Sequence, residues 1–149
     1  MSHTYASNRV HVVFSTKDRK KSLADDLQPK LWGYMKGIAK NHGFEAVKIG
    51  GVSDHVHVLL VVPPAMPLAK AVQSMKGCSS KWLNDTGATG AKFAWQEGYA
   101  AFTVSASAID EVRRYIENQE EHHRERSFRE ELKLMLVRSG VKYDERYLD

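Results

Sequence analysis

The chain has 149 residues, 42% hydrophobic and 27% charged, which describes one globular domain spanning 1–149 with enough length to bury a real core. No apolar stretch approaches the ~20 residues that span a bilayer, and the single cysteine, Cys78, excludes internal disulfides and a cysteine-rich zinc site. A net charge of +4 and a pI of about 9.2 fit an anionic partner such as nucleic acid, or almost equally a basic housekeeping enzyme. The N-terminus, Met1-Ser2-His3-Thr4-Tyr5, lacks a charged-then-apolar signal pattern, so a cytoplasmic location is expected.

Residues 9–15 (Arg-Val-His-Val-Val-Phe-Ser) read as a first strand, followed by a basic run, Lys17, Arg19, Lys20 and Lys21. Ser22 is a candidate helix cap with Asp25 in the first turn. Leu27, Leu31, Tyr34, Met35 and Ile38 then recur at helical spacing up to a stop at Gly43. Pro29 fits poorly inside that helix, which therefore starts later or kinks there. Residues 44–49 form a second strand, Gly50-Gly51 a turn, and 53–62 a third strand ended by Pro63, Pro64 and Pro67. Leu68, Val72, Met75, Ser79, Trp82 and Leu83 mark a second helix, and a glycine-rich loop over 85–90 follows it. Residues 99–105 form a fourth strand, with Ala100, Phe102 and Val104 on one face. Ser107 with Asp110 caps a third helix running to about 122, 128–137 is a shorter helix, and 141–149 is irregular. The order β-α-β-β-α-β followed by helices predicts an α+β, ferredoxin-like antiparallel sheet with its two crossover helices on one face. The opposite face is left for a C-terminal helix.

The third strand carries His55-Val56-His57. Positions i and i+2 of a strand share a face, so two imidazoles project side by side from an otherwise apolar element. That arrangement costs desolvation unless something binds the rings. A divalent metal does so, since neutral imidazole is its commonest protein ligand; two hydrogen-bonded structural histidines are the even alternative.

Further on, Tyr115 and Gln119 stand four apart on a helix whose apolar stripe is Ile109, Val112 and Ile116, so they meet the same volume. Beside the two histidines, the chemistry that fits is phosphoryl transfer. A phenol with pKa ~10 needs activation to attack at neutral pH. A metal held by His55, His57 and the amide oxygen of Gln119 leaves positions for water and a phosphate oxygen. Attack yields a phosphotyrosine ester that conserves the bond for rejoining. Such mixed ligation suits Mg²⁺ or Mn²⁺ in use, although affinity alone favours later transition metals. Asp54 is either a partner that orients an imidazole or a turn residue at the strand entry.

Lys17, Arg19, Lys20, Lys76, Lys81, Arg113 and Arg114 are candidate phosphate contacts, with Lys21, Lys70, Arg124 and Arg126 nearby in the chain. Each is otherwise an ordinary solvated residue. Trp82, Trp95 and Tyr99 are candidates for base stacking, although the neighbours of the tryptophans favour core packing.

Taken together, these elements resemble the single-tyrosine HUH transposases, both the small transposases of single-stranded insertion sequences and their relatives associated with repetitive extragenic palindromes. His55-Val56-His57 resembles the histidine–hydrophobe–histidine motif, and Tyr115-x-x-x-Gln119 the nucleophile and third metal ligand. Phe93-Ala94-Trp95-Gln96-Glu97-Gly98-Tyr99 and Gln119-Glu120-Glu121-His122-His123-Arg124 also look typical of the family. The resemblance implies cleavage of single-stranded DNA near imperfect hairpins and rejoining through a 5′-phosphotyrosine. It also implies a homodimer in which the tyrosine helix can serve the partner's histidines.

Two other readings stand beside it. A non-catalytic, domesticated binder of single-stranded nucleic acid is one, although the ribonucleoprotein consensus with its sheet-face aromatics is absent. A metallohydrolase using water is the other; no Cys-x-x-Cys follows the histidines, and neither a P-loop nor a dinucleotide glycine motif is present.

Overall fold

In the computed structural model, which describes residues 3–148 except for the side chains of Arg124 and Glu125, four antiparallel strands stand in the order β2-β3-β1-β4. They are β1 (Arg9–Ser15), β2 (Glu45–Gly51), β3 (His55–Val61) and β4 (Ala100–Thr103). Strand β3 lies between β1 and β2 and is buried on both sides, as suits its run of apolar residues from Val58 to Val61.

Its side chains divide by parity. Val56, Val58 and Leu60 join Val12 and Phe14 of β1 in the main core, against α1 (Gln28–Asn41) and α2 (Leu68–Thr86). Leu31, Met35 and Ile38 come from α1; Ala71, Val72, Met75 and Leu83 come from α2. The other face of β3 carries His55, His57 and Leu59. There Leu59 packs with Val104 and with Ile116 of α3 (Ile109–Glu117), flanked by Val47 and Val112. The ferredoxin-like arrangement expected from the pattern is thus present, with the C-terminal helices on the face the crossovers leave open.

Helix α1 begins at Gln28, the later start that Pro29 pointed to: the proline takes the first turn, where its missing N–H breaks no helical bond, and Ser22 is not its cap. Three details differ from expectation. Gly50-Gly51 is not a turn but the end of β2, with Gly50 opposite His57. A Cβ on Gly50 would stand 2.3 Å from the Ile116 carbonyl oxygen, so the bare backbone is what lets α3 lie this close to the sheet. The third helix breaks at Asn118 (φ −99°, ψ 28°), and α4 (Gln119–Glu125) continues from it. Finally, Ser107 does not cap α3: it lies in a 3₁₀ turn, where its hydroxyl pairs with that of Ser105 at 3.1 Å.

Helix α5 (Phe128–Arg138) is capped by Ser127, whose Oγ accepts the Glu130 N–H at 3.2 Å. No helix among the described residues is long and apolar enough to cross a membrane.

Candidate active site

The two strand histidines are fixed from behind. The Nδ1 of His55 donates to Asp54 Oδ1 at 2.7 Å, and the Nδ1 of His57 shares a 2.8 Å hydrogen bond with Nε2 of His11 on β1. Both Nε2 atoms therefore point forward into one volume beneath the C-terminal helices. Phe128 of α5 lies flat on the His55 ring, with centroids 4.1 Å apart.

Tyr115 and Gln119 enter from α3 and α4. Despite the break at Asn118 they act on the same place. The Gln119 Nε2 donates to the Tyr115 carbonyl at 3.2 Å, which turns its Oε1 inward to 3.4 Å from His55 Nε2. The Tyr115 ring lies 5.7 Å from that of His57, and His122 stacks on its other side at 4.5 Å.

Two residues to which the sequence assigned no role, His123 and Glu131, complete the cluster. Glu131 of α5 sets Oε1 2.9 Å from His57 Nε2 and 3.2 Å from His123 Nε2, while its Oε2 accepts the Tyr115 hydroxyl. His55, His57, His123 and Glu131 each offer a ligand atom, all within 4.8 Å of one another. His55 and His57 are 0% exposed and Gln119 and Glu131 1%, so these atoms lie enclosed between the sheet and the C-terminal helices.

The electrostatics follow from burial and crowding. Burial favours the neutral form of Glu131, but hydrogen bonds from His123, His55 and His57 outweigh it and hold the carboxylate far below its usual range. His57 is pushed down by burial, and His11 is held down to about 3 by burial and by His57. Burial also opposes protonation of His55, yet its bonds to Asp54 and Glu131 raise it overall. Tyr115 is raised above the usual phenol value, by burial and then by the negative charge of Glu131.

This donor set fits a divalent cation. A neutral His55 that carries its proton on Nδ1 for Asp54 has only a lone pair on Nε2. That lone pair faces the Gln119 oxygen at 3.4 Å and the Glu131 oxygen at 3.4 Å, and neither can donate. Either a second proton on His55, which its raised pKa favours, or a cation at the centre reconciles these contacts, and two imidazoles with an amide and a carboxylate oxygen are donors that divalent cations accept. His55, His57 and Gln119 would hold the cation, with Asp54 and His11 orienting the rings.

The expected phosphate contacts divide between the two layers. Arg113 and Arg114 are exposed on α3, on the site's face of the sheet. Arg19, one of two non-glycine residues in the left-handed region among the described residues (φ 52°), lays its guanidinium 4.7 Å over Phe128. Lys17 and Lys20 are exposed at the end of β1. Lys76 and Lys81 belong to α2, on the other layer. The Lys76 ammonium donates to the carbonyls of Gln96 and Gly98, both at 2.7 Å, and Lys81 pairs with Asp85 at 2.6 Å. Arg124 lies outside the described side chains. Trp95 is core, bonded through Nε1 to Ser79 Oγ at 2.9 Å; Trp82 is half-buried and stacks on Tyr34 at 4.7 Å.

A small antiparallel α+β sheet with a histidine pair, a tyrosine and a glutamine meeting on its open face defines the class, and comparison with known proteins gives the family. Residues 4–119 match the profile of the IS200-like transposases, and the chain belongs to that family. It is 26% identical to the ISDra2 transposase TnpA of Deinococcus radiodurans over 122 residues, 73% of this chain and 81% of that one. It is 24% identical over 124 residues to the transposase of insertion sequence IS200 of Salmonella typhimurium, covering 80% and 81% of the two chains. Among solved structures, a chain from Deinococcus radiodurans R1 described as a transposase superposes with a TM-score of 0.62 at 27% identity, covering 80% of this chain and 96% of that one. A REP-associated tyrosine transposase bound to a REP hairpin shares the fold, with a TM-score of 0.58 at 13% identity over 79% and 70% of the chains.

Proposed function

We propose that this transposase cleaves and rejoins single-stranded DNA near hairpins by metal-dependent transesterification, with Tyr115 as nucleophile. The observation that carries the reading is the convergence of the Tyr115 hydroxyl, both strand histidines and Gln119 on one buried volume, from segments about 60 residues apart in the chain. Mg²⁺ or Mn²⁺ held there would polarise the phosphate and offset developing negative charge.

The remaining steps belong to the chain. The Tyr115 oxygen attacks phosphorus, the bond from phosphorus to the upstream 3′ oxygen breaks, and a 5′-phosphotyrosine and a free 3′-hydroxyl result. The phenolic proton leaves toward Glu131 Oε2, which already accepts it as a hydrogen bond, and is passed on to the departing 3′ oxygen, so that the 3′-hydroxyl forms with no net change in protons. Attack by another 3′-hydroxyl on the same phosphorus reverses the chemistry and releases Tyr115. A hairpin-bearing substrate is supported by the hairpin carried by the REP-associated neighbour. A cytoplasmic homodimer, in which the tyrosine helix serves its own or its partner's histidines, is part of the same proposal.

The test is incubation of the protein with labelled single-stranded DNA from its own gene's flanks and Mn²⁺, followed by a denaturing gel. A band at the combined mass of protein and DNA is expected. In Tyr115→Phe it should vanish, with cleavage down by about 10⁴-fold or more and DNA binding kept. Cleavage without the band would make water the nucleophile. Binding without any reaction across a wide pool of flanking DNA would favour the domesticated binder.

A further inference from the structure

We infer that Glu131 and His123 are ligands of the same metal centre, so that the segment beyond the family-matched span completes the catalytic site. The inference rests on the metal-dependent reading above and extends it to residues outside 4–119.

Glu131 stands where an apolar residue belongs. Phe128, Leu132, Met135 and Leu136 recur on α5 at helical spacing toward the interior, and Glu131 lies in the middle of that stripe at 1% exposure. A buried carboxylate persists when it is paired or binds a metal. No lysine or arginine pairs with it among the described residues; its neighbours are three imidazoles and the Tyr115 hydroxyl.

The distances are those of neighbouring ligands on one ion. Donors about 2.1 Å from a cation stand about 3.0 Å apart at octahedral right angles and about 3.4 Å apart at tetrahedral ones. Glu131 Oε1 stands 2.9, 3.2 and 3.4 Å from the Nε2 atoms of His57, His123 and His55. The second oxygen, Oε2, is left to hold the Tyr115 hydroxyl, so one carboxylate links the centre to the nucleophile. Three imidazoles with one carboxylate and one amide favour Mn²⁺ or a later transition metal over Mg²⁺, which prefers oxygen.

The experiment is Mn²⁺ titration of the full chain, free Mn²⁺ being read by electron paramagnetic resonance, on wild type, Glu131→Gln, His123→Ala and His57→Ala, each first checked for folding by circular dichroism. Glu131→Gln and His123→Ala are expected to weaken binding about tenfold or more, and His57→Ala to remove it. If His57→Ala loses binding while Glu131→Gln binds as wild type or tighter, Glu131 is a plug over the site and not a ligand, and the inference falls alone. If His57→Ala binds Mn²⁺ normally, the metal-centre reading beneath it falls as well. Should Glu131→Gln not fold, Glu131→Asp keeps the buried charge but withdraws the oxygen by one methylene. Reduced affinity there supports the assignment, and unchanged affinity overturns it.

Discussion

The two faces of strand β3 do opposite things with the same backbone. Toward α1 and α2 it presents Val56, Val58 and Leu60, all fully buried in a continuous apolar core. Toward α3, α4 and α5 it presents His55 and His57, equally buried but among polar and charged groups. One face supplies stability through area and packing. The other holds groups that desolvation penalises and that persist because each has a specific partner. A rigid strand locked between two neighbours is what lets the polar face keep its geometry, and substitutions can separate the two contributions.

The largest effect on the apolar side is expected from Leu60→Ala. Leu60 is 0% exposed, and the cavity left behind should cost about 2–5 kcal/mol in a urea titration. The Mn²⁺ affinity of the molecules that remain folded should stay at the wild-type value, because no site ligand lies on that face. An affinity loss comparable to that of the site variants would show that the faces are coupled through the strand.

Gly50→Ala strikes the join between the faces. The new Cβ would meet the Ile116 carbonyl oxygen at 2.3 Å, a backbone atom that cannot turn aside, so α3 must lift. About 1–3 kcal/mol of stability should be lost. Cleavage by the folded protein should fall further, by about 10²-fold, because Tyr115 precedes Ile116 and a shift of about 1 Å misplaces the nucleophile. Full cleavage activity in a destabilised Gly50→Ala protein would show that Tyr115 is placed by Glu131 and not by its helix.

That glycine also shows where sequence reading stops. Strand parity, helical spacing and the proline stops are local signals, and they sufficed for the element order, the face assignment, and the placing of His55, His57, Tyr115 and Gln119 around one volume. Gly50-Gly51 has the local signature of a turn; its actual reason is the approach of a helix 66 residues later, which no local pattern contains. His11 joins the site only through the pairing of β1 with β3, and His123 only through the bend after Asn118. Glu131 did leave a trace, a carboxylate inside the stripe of Phe128, Leu132 and Leu136, which is legible as an anomaly once a charged residue at a core position is treated as a question.

A smaller effect is expected from pH. His11 is held down to about 3 from its ordinary 6.5, by burial and by His57. The unfolded chain therefore takes the proton first. Stability from this group is complete above about pH 6.5 and is lost as pH falls toward the folded value. Between pH 7.5 and 5 the loss amounts to as much as about 2 kcal/mol. His11→Gln removes the titration and keeps a polar partner for His57, so its urea midpoint should fall less than that of wild type over the same interval. Parallel falls would assign the acid sensitivity to His57 alone.

The smallest effect separates the cations of the two layers. Arg19 is held in the left-handed region, a conformation that costs of order 1–3 kcal/mol for a non-glycine residue and persists where its surroundings enforce it. Its guanidinium rests on Phe128, and Phe128 rests on His55, so the Phe128 ring links Arg19 to the site. Lys81 stands on α2 behind the sheet, already paired with Asp85. If DNA enters on the histidine face, Arg19→Ala should weaken single-stranded DNA binding a few-fold and reduce the slope of log affinity against log salt by about one contact. Lys81→Ala should change neither. Equal losses from the two would mean that the strand wraps both layers. Phosphate binding would then belong to the whole surface, and only the chemistry would belong to one face.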